Sequence, residues 1–188
     1  MDAVELKKWF LISLIVSLSV SAFIGIVLFL IGSFGDLEVK ILFTTLVIGL
    51  FSLTGLCGSI LFNRGRFINY SILSMCTSVI GFLLAAVSIW EIADIGDIWK
   101  ALIILIVLSI AFAHSSLILL IDSESRMVNV LLVLTHLFIA IVSLMLIVLV
   151  IDEFDISSEL YYRLIGVFAI LDVLGTIVTP IVHKITQE

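Results

Sequence analysis

Three ionisable side chains, His114, His136 and Asp172, lie deep inside long apolar runs of this 188-residue chain. A carboxyl and two imidazoles placed there are costly, so each is a candidate functional group by default. Counted from run ends on one side at ~1.5 Å per residue, His114 lies ~10 Å in, His136 ~13 Å and Asp172 ~15 Å. They occupy the fourth, fifth and sixth runs, which short connections make neighbours. An Asp/His chain at matched depth could relay protons or move an ion. Two facing imidazoles could hold a haem axially. Zinc would need a third or fourth ligand, and only the thiols of Cys57 and Cys76 stand elsewhere within the runs. Hydrocarbon favours the uncharged form of each group, and a close Asp172–His136 contact would reverse that by forming an ion pair. The plainer reading is that all three hydrogen-bond to neighbouring helices as packing contacts, each contributing ~0.6–2 kcal/mol. On that balance no catalytic residue, metal or cofactor is assigned, and the intramembrane cluster is a candidate site only.

The elements that must position these groups are six apolar runs, at about 9–31, 40–62, 67–90, 99–121, 127–151 and 161–182. With 63% hydrophobic and 13% charged residues, the chain cannot close around one water-soluble core without leaving large apolar surface exposed. Each run matches the ~20 residues that an α-helix needs to span hydrocarbon, and none alternates as a barrel strand does. The reading is an all-α polytopic membrane protein: one domain over 1–188, six transmembrane helices in three antiparallel hairpins. Lys7 and Lys8 precede a first run far longer than the apolar core of a signal peptide, so that run is read as a retained helix.

Basic residues set the orientation. Lys7, Lys8, Arg64, Arg66, Arg126 and Lys184 fall on one side, Lys40, Lys100 and Arg163 on the other, which puts both termini in the cytoplasm. Each minority basic residue follows an acid by three or four positions at an outer helix start: Asp36 before Lys40, Asp97 before Lys100, Glu159 before Arg163. Acids in a first turn complement the helix dipole, and such a pair adds a few tenths of a kcal/mol. The basic members are 60 and 63 residues apart, as one hairpin used three times would space them. Trp90, Trp99, Tyr161 and Tyr162 fall at the same boundary, as an interfacial aromatic belt does.

Small residues mark contact faces, because helices in lipid associate by close backbone approach. Ser13, Ser17, Ser21 and Gly25 recur every four residues. Thr45, Gly49, Ser52 and Ser59 form one face of the second run, and Ser71, Ser74, Ser78, Gly81, Ala85 and Ser88 one of the third. Asn129, His136, Ala140 and Ser143 make an inward stripe on the fifth run, and Ala169, Asp172, Thr176 and Thr179 one on the sixth. The same seams would serve self-association, so the partners expected are the lipid bilayer and a homo-oligomer or larger membrane complex. Nucleic-acid binding has no support.

No Gly-x-Ser-x-Gly elbow or zinc-protease His-Glu motif accompanies Ser115 and Ser116, so an enzyme is not expected. Pro180 is the only proline, and the broken helices of many transporters are not signalled. Trp99-Lys100, Tyr162-Arg163, Ala113-His114-Ser115-Ser116-Leu117, Ile170-Leu171-Asp172 and Pro180-Ile181-Val182-His183 make the whole chain resemble uncharacterised prokaryotic membrane proteins of three tandem hairpins. In six-helix layout and length it is also similar to the HdeD acid-resistance membrane family. The resemblance implies a prokaryotic inner-membrane location and a non-enzymatic structural, stress-related or accessory role. A small proton-coupled transporter or channel using His114, His136 and Asp172 is the alternative, and a haem- or metal-binding membrane subunit a further one.

Overall fold

The computed structural model describes residues 3–31, 35–92, 98–156 and 158–186. Six helices account for nearly all of them: α1 Ala3–Ile31, α2 Asp36–Asn63, α3 Ile68–Ile89, α4 Ile98–Ile118, α5 Arg126–Ile151 and α6 Glu159–Ile185. Each contains a segment long and apolar enough to cross a membrane. Large apolar side chains such as Phe23, Leu83, Val133 and Ile170 are exposed on the outer helix surfaces, where only lipid is a favourable solvent. The all-helical reading therefore holds, with six helices each long and apolar enough to span a membrane.

Two compact units divide the chain, Met1–Ser109 and Ile110–Glu188. In the first, α1, α2 and α3 run antiparallel in sequence order. Ser21 hydrogen-bonds Thr45, and the Ser17 hydroxyl lies against the Gly49 backbone. Across the next seam Thr54 and Ser78 are hydrogen-bonded at 2.9 Å, and Ser74 lies against Gly58. Most of the small residues named from sequence are buried here, Ser17, Ser52, Ser59, Ser71, Ser74 and Ser78 among them, while Ser13, Ser21, Gly25 and Ser88 are only partly buried. Backbone approach is as close between α2 and α3 as between α1 and α2, so the packing is not confined to sequence hairpins. A small apolar core of Val47, Phe51 and Ala85 is extended by Phe82, Ile89, Leu102 and Ile106.

In the second unit α5 and α6 form an antiparallel pair. Its seam runs through Thr135, whose side chain fills the space above Gly175 and approaches Thr179 at 3.4 Å. Phe138 packs on Phe168 with ring centroids 6.3 Å apart, and the Tyr161 hydroxyl donates to the Met145 carbonyl at 2.6 Å. The buried residues of α5 are Val128, Thr135, Ile139, Leu149 and Val150. Asn129 and Ala140, which the sequence reading turned inward, are exposed. The seam lies one residue, or ~100° of rotation, from the polar stripe, because Thr135 fits against Gly175 where the larger His136 would not.

The helix ends are closed by backbone. α3 finishes in a Schellman motif, with Ile92 N–H donating to the Val87 carbonyl and Glu91 left-handed at φ 50°. α5 ends the same way, Phe154 N–H reaching the Leu149 carbonyl. Gly65, at φ 68°, takes the corresponding position after α2, where a glycine is unstrained.

Two glycines admit aromatic rings: Phe10 occupies the space beside Gly55, and Phe51 that beside Gly81, where an added methyl would collide with the ring. Gly81→Ala is expected to lower stability by about 1–3 kcal/mol in reversible detergent unfolding, the usual cost of overpacking. Gly25→Ala, with nothing near the added carbon, is expected to be neutral or to stabilise by up to about 1 kcal/mol through helix propensity.

Candidate functional site

The second unit brings together two of the three ionisable groups that lie deep within the apolar runs. His114, near the end of α4, faces α6: its Nε2 lies 2.8 Å from the Thr176 hydroxyl oxygen and its Nδ1 3.8 Å from Asp172 Oδ2. Thr176 stands one turn after Asp172 and donates its own proton to the Asp172 backbone carbonyl at 2.8 Å. The side chains of His114 and Asp172 are 29% and 14% exposed.

The Thr176 hydroxyl has three neighbours: the Asp172 backbone carbonyl, His114 Nε2 and the Asp172 carboxyl. Where its proton goes to the backbone, its oxygen accepts and His114 Nε2 donates. A neutral ring in that arrangement turns a bare Nδ1 toward Asp172 Oδ2, and a favourable contact there takes one further proton, on the ring or on the carboxyl. The gap of 3.8 Å is an ion-pair approach, longer than the 2.7–3.2 Å of a direct hydrogen bond. The other carboxylate oxygen, Asp172 Oδ1, is buried and has no protein partner.

His136 is held apart from this pair. Its Nδ1 lies 2.7 Å from the Leu132 carbonyl, which can only accept, so Nδ1 carries the hydrogen and Nε2 of the neutral ring is a lone pair. That Nε2 is buried without a partner. Asp172 has His114 as its imidazole neighbour, not His136, since the rotation that places Thr135 in the α5–α6 seam carries His136 to one side. Among the described residues no three His, Cys, Asp or Glu side chains converge on a position that could hold a metal ion. Cys57 is buried and Cys76 exposed, both as free thiols.

The helix-start residues are arranged less uniformly than their spacing. Glu159 and Arg163 meet at 3.0 Å, both largely exposed, so the pair contributes little to stability. Asp36 sits in the first turn of α2, but the ammonium of Lys40 lies 3.1 Å from Glu91 at the end of α3. The neighbouring Trp90 Nε1 donates to Thr44 Oγ1 at 3.1 Å, making a second link between those ends. Lys100 lies 5.7 Å from the centre of the Trp99 ring, while Asp97, its expected partner, falls outside the described residues. Glu91 is a partner that the sequence reading did not name, whereas Thr176 was placed on the stripe of Asp172 but not paired with His114. Thr176 was legible as the residue one turn from Asp172; Glu91 had no periodic signal.

Comparison with protein-family models, with curated proteins and with solved structures gives no match to this chain.

Two measurements check the site. Nitrogen-15 spectra of the histidine rings are expected to show neutral His136 carrying its hydrogen on Nδ1 and His114 carrying one on Nε2, toward Thr176. Asp172→Asn, which keeps a group able to hydrogen-bond the ring, should change unfolding stability by under about 0.5 kcal/mol, whereas Asp172→Ala should cost about 1–2 kcal/mol, the range of interhelical polar contacts in membranes.

Proposed function

We propose that this is a multi-pass protein of a prokaryotic inner membrane, with both termini cytoplasmic, derived from three tandem hairpins and serving as a non-enzymatic structural, stress-related or accessory subunit. The supporting observation is how the costly polar groups are used. Both ring nitrogens of His114 face groups on α6, and hydroxyls meet across the Ser21–Thr45, Thr54–Ser78 and Thr135–Thr179 seams. Polar side chains spent on neighbouring helices hold a bundle together and leave few groups to line a passage. The small-residue faces and the exposed outer surfaces suit a homo-oligomer or a larger membrane complex.

A second reading, a small proton-coupled transporter, is favoured by one feature: Asp172 Oδ1 and His136 Nε2 are both buried acceptors without a partner. An open acceptor on the pair itself, Asp172 Oδ1, is what a relay would need.

Proteoliposomes separate the two. An accessory subunit gives no pH-driven flux above empty vesicles, and purification in mild detergent recovers it in an assembly larger than the 20.7 kDa chain. Flux that depends on pH and is abolished by Asp172→Asn would overturn the accessory role and establish transport.

A further inference from the structure

The turn between α2 and α3 concentrates positive charge at one end of the first unit. Arg64 and Arg66 stand on either side of Gly65, and no acidic residue occurs between Glu38 and Glu91. Residues 63–69 are all exposed. Glu5 and Lys8, the charged side chains described at the start of antiparallel α1, cancel one another. The turn joining α4 to α5 has the opposite balance, since Asp122 and Glu124 there outnumber Arg126.

An aromatic ring accompanies the cations. Phe67, left-handed at φ 52°, precedes α3 with 50% of its surface exposed, and the Arg66 guanidinium carbon lies 5.7 Å from its ring centre. A ring at a helix end with a cation over it suits the headgroup layer, where one side meets hydrocarbon and the other meets charge.

An apolar track leads away from this end along α3. Ile68, Ile72, Cys76, Val79 and Leu83 recur at intervals of four, four, three and four residues, all exposed, which places them on one helix face. At ~1.5 Å per residue the track is ~22 Å long, more than half of a ~30 Å hydrocarbon layer. An occupant that answers both parts has an anionic head and an apolar chain. A free anion would answer the arginines alone. A zwitterionic headgroup would bring its own cation against them, whereas the planar forks of two guanidiniums match the oxygens of a phosphate whose charge is not offset.

We propose that the α2–α3 turn and the exposed face of α3 beside it bind an anionic phospholipid, its phosphate oxygens accepting from Arg64 and Arg66 and an acyl chain lying along Ile68, Ile72, Val79 and Leu83. The site rests on the membrane location proposed above.

Electron spin resonance of the protein in phosphatidylcholine vesicles, with a trace lipid carrying a nitroxide near its chain end, reads how much of that lipid the protein surface immobilises. Phosphatidylglycerol is expected to be immobilised at least about twofold more strongly than phosphatidylcholine, averaged over the whole surface. Arg64→Gln with Arg66→Gln should remove the preference. Arg126→Gln with Lys184→Gln, which takes the same charge from elsewhere, should keep it. Salt raised to ~1 M should weaken it, and inorganic phosphate at constant ionic strength should not. Equal immobilisation of the two lipids by the unsubstituted protein would overturn the assignment. So would equal loss of preference in both double variants, which makes it a property of net charge, or displacement by inorganic phosphate, which makes the turn a site for soluble anions. Absence of an immobilised component for either lipid would overturn the membrane location as well, so the two failures are told apart. The comparison of lipids uses the unsubstituted protein and decides the matter even where a glutamine variant folds poorly.

Discussion

In hydrocarbon no water stands ready to accept from a hydroxyl or donate to a carbonyl, and each polar group not answered within the protein raises the free energy of the folded chain. That constraint fixes the α-helix as the element, since it answers its backbone groups internally. It fixes the side-chain geometry too. Thr44, Thr77, Thr135, Ser143 and Thr179 all turn their protons back to a carbonyl four residues earlier. Pairs such as Thr54 and Ser78 then add a contact between helices at little further desolvation. Close approach through Gly49, Gly58 and Gly175 is the apolar counterpart, backbone against hydroxyl or methyl at van der Waals distance.

The same constraint explains how far the fold could be read from residue types. Six helices long and apolar enough to span follow from run length and composition alone. The seams of α1, α2 and α3 were legible for the same reason: Ser17, Ser21, Thr45, Gly49, Ser74, Ser78 and Gly81 recur at the three- and four-residue spacing of a helix face, and few alternatives are small. α5 was harder. Its stripe of Asn129, His136, Ala140 and Ser143 and its actual seam of Val128, Thr135 and Ile139 have the same period and differ by one position. Only the shape of the partner, a gap over Gly175 that accepts threonine, chooses between them. Periodicity reports that a face exists, and complementarity decides which one is used.

Charges at the helix ends show the limit from another side. Asp36 and Lys40 have favourable i,i+4 spacing, but an exposed pair of that kind is worth only a few tenths of a kcal/mol. The close packing of α2 on α3 brings the end of α3 beside the start of α2, and Glu91 in its left-handed cap becomes the nearer partner of Lys40. Glu159 and Arg163 keep their local pair. Weak local preferences thus survive where nothing competes and yield where tertiary packing presents another charge, which no spacing rule anticipates.

The candidate site follows the same logic one step further. Where the Thr176 hydroxyl gives its proton to the backbone, His114 and Asp172 share one proton, and the pair is neutral overall whether that proton sits on the ring or on the carboxyl. A neutral pair avoids most of the cost of a lone buried charge. The two arrangements differ in where an electric dipole points, across a contact linking α4 to α6 through Thr176. Asp172 Oδ1 is open in both. A donor reaching that oxygen would favour the carboxylate and move the shared proton to His114. Any molecule or helix that supplies such a donor therefore changes the charge distribution of the α4–α6 contact without changing its net charge, a response that needs neither a metal nor a large motion.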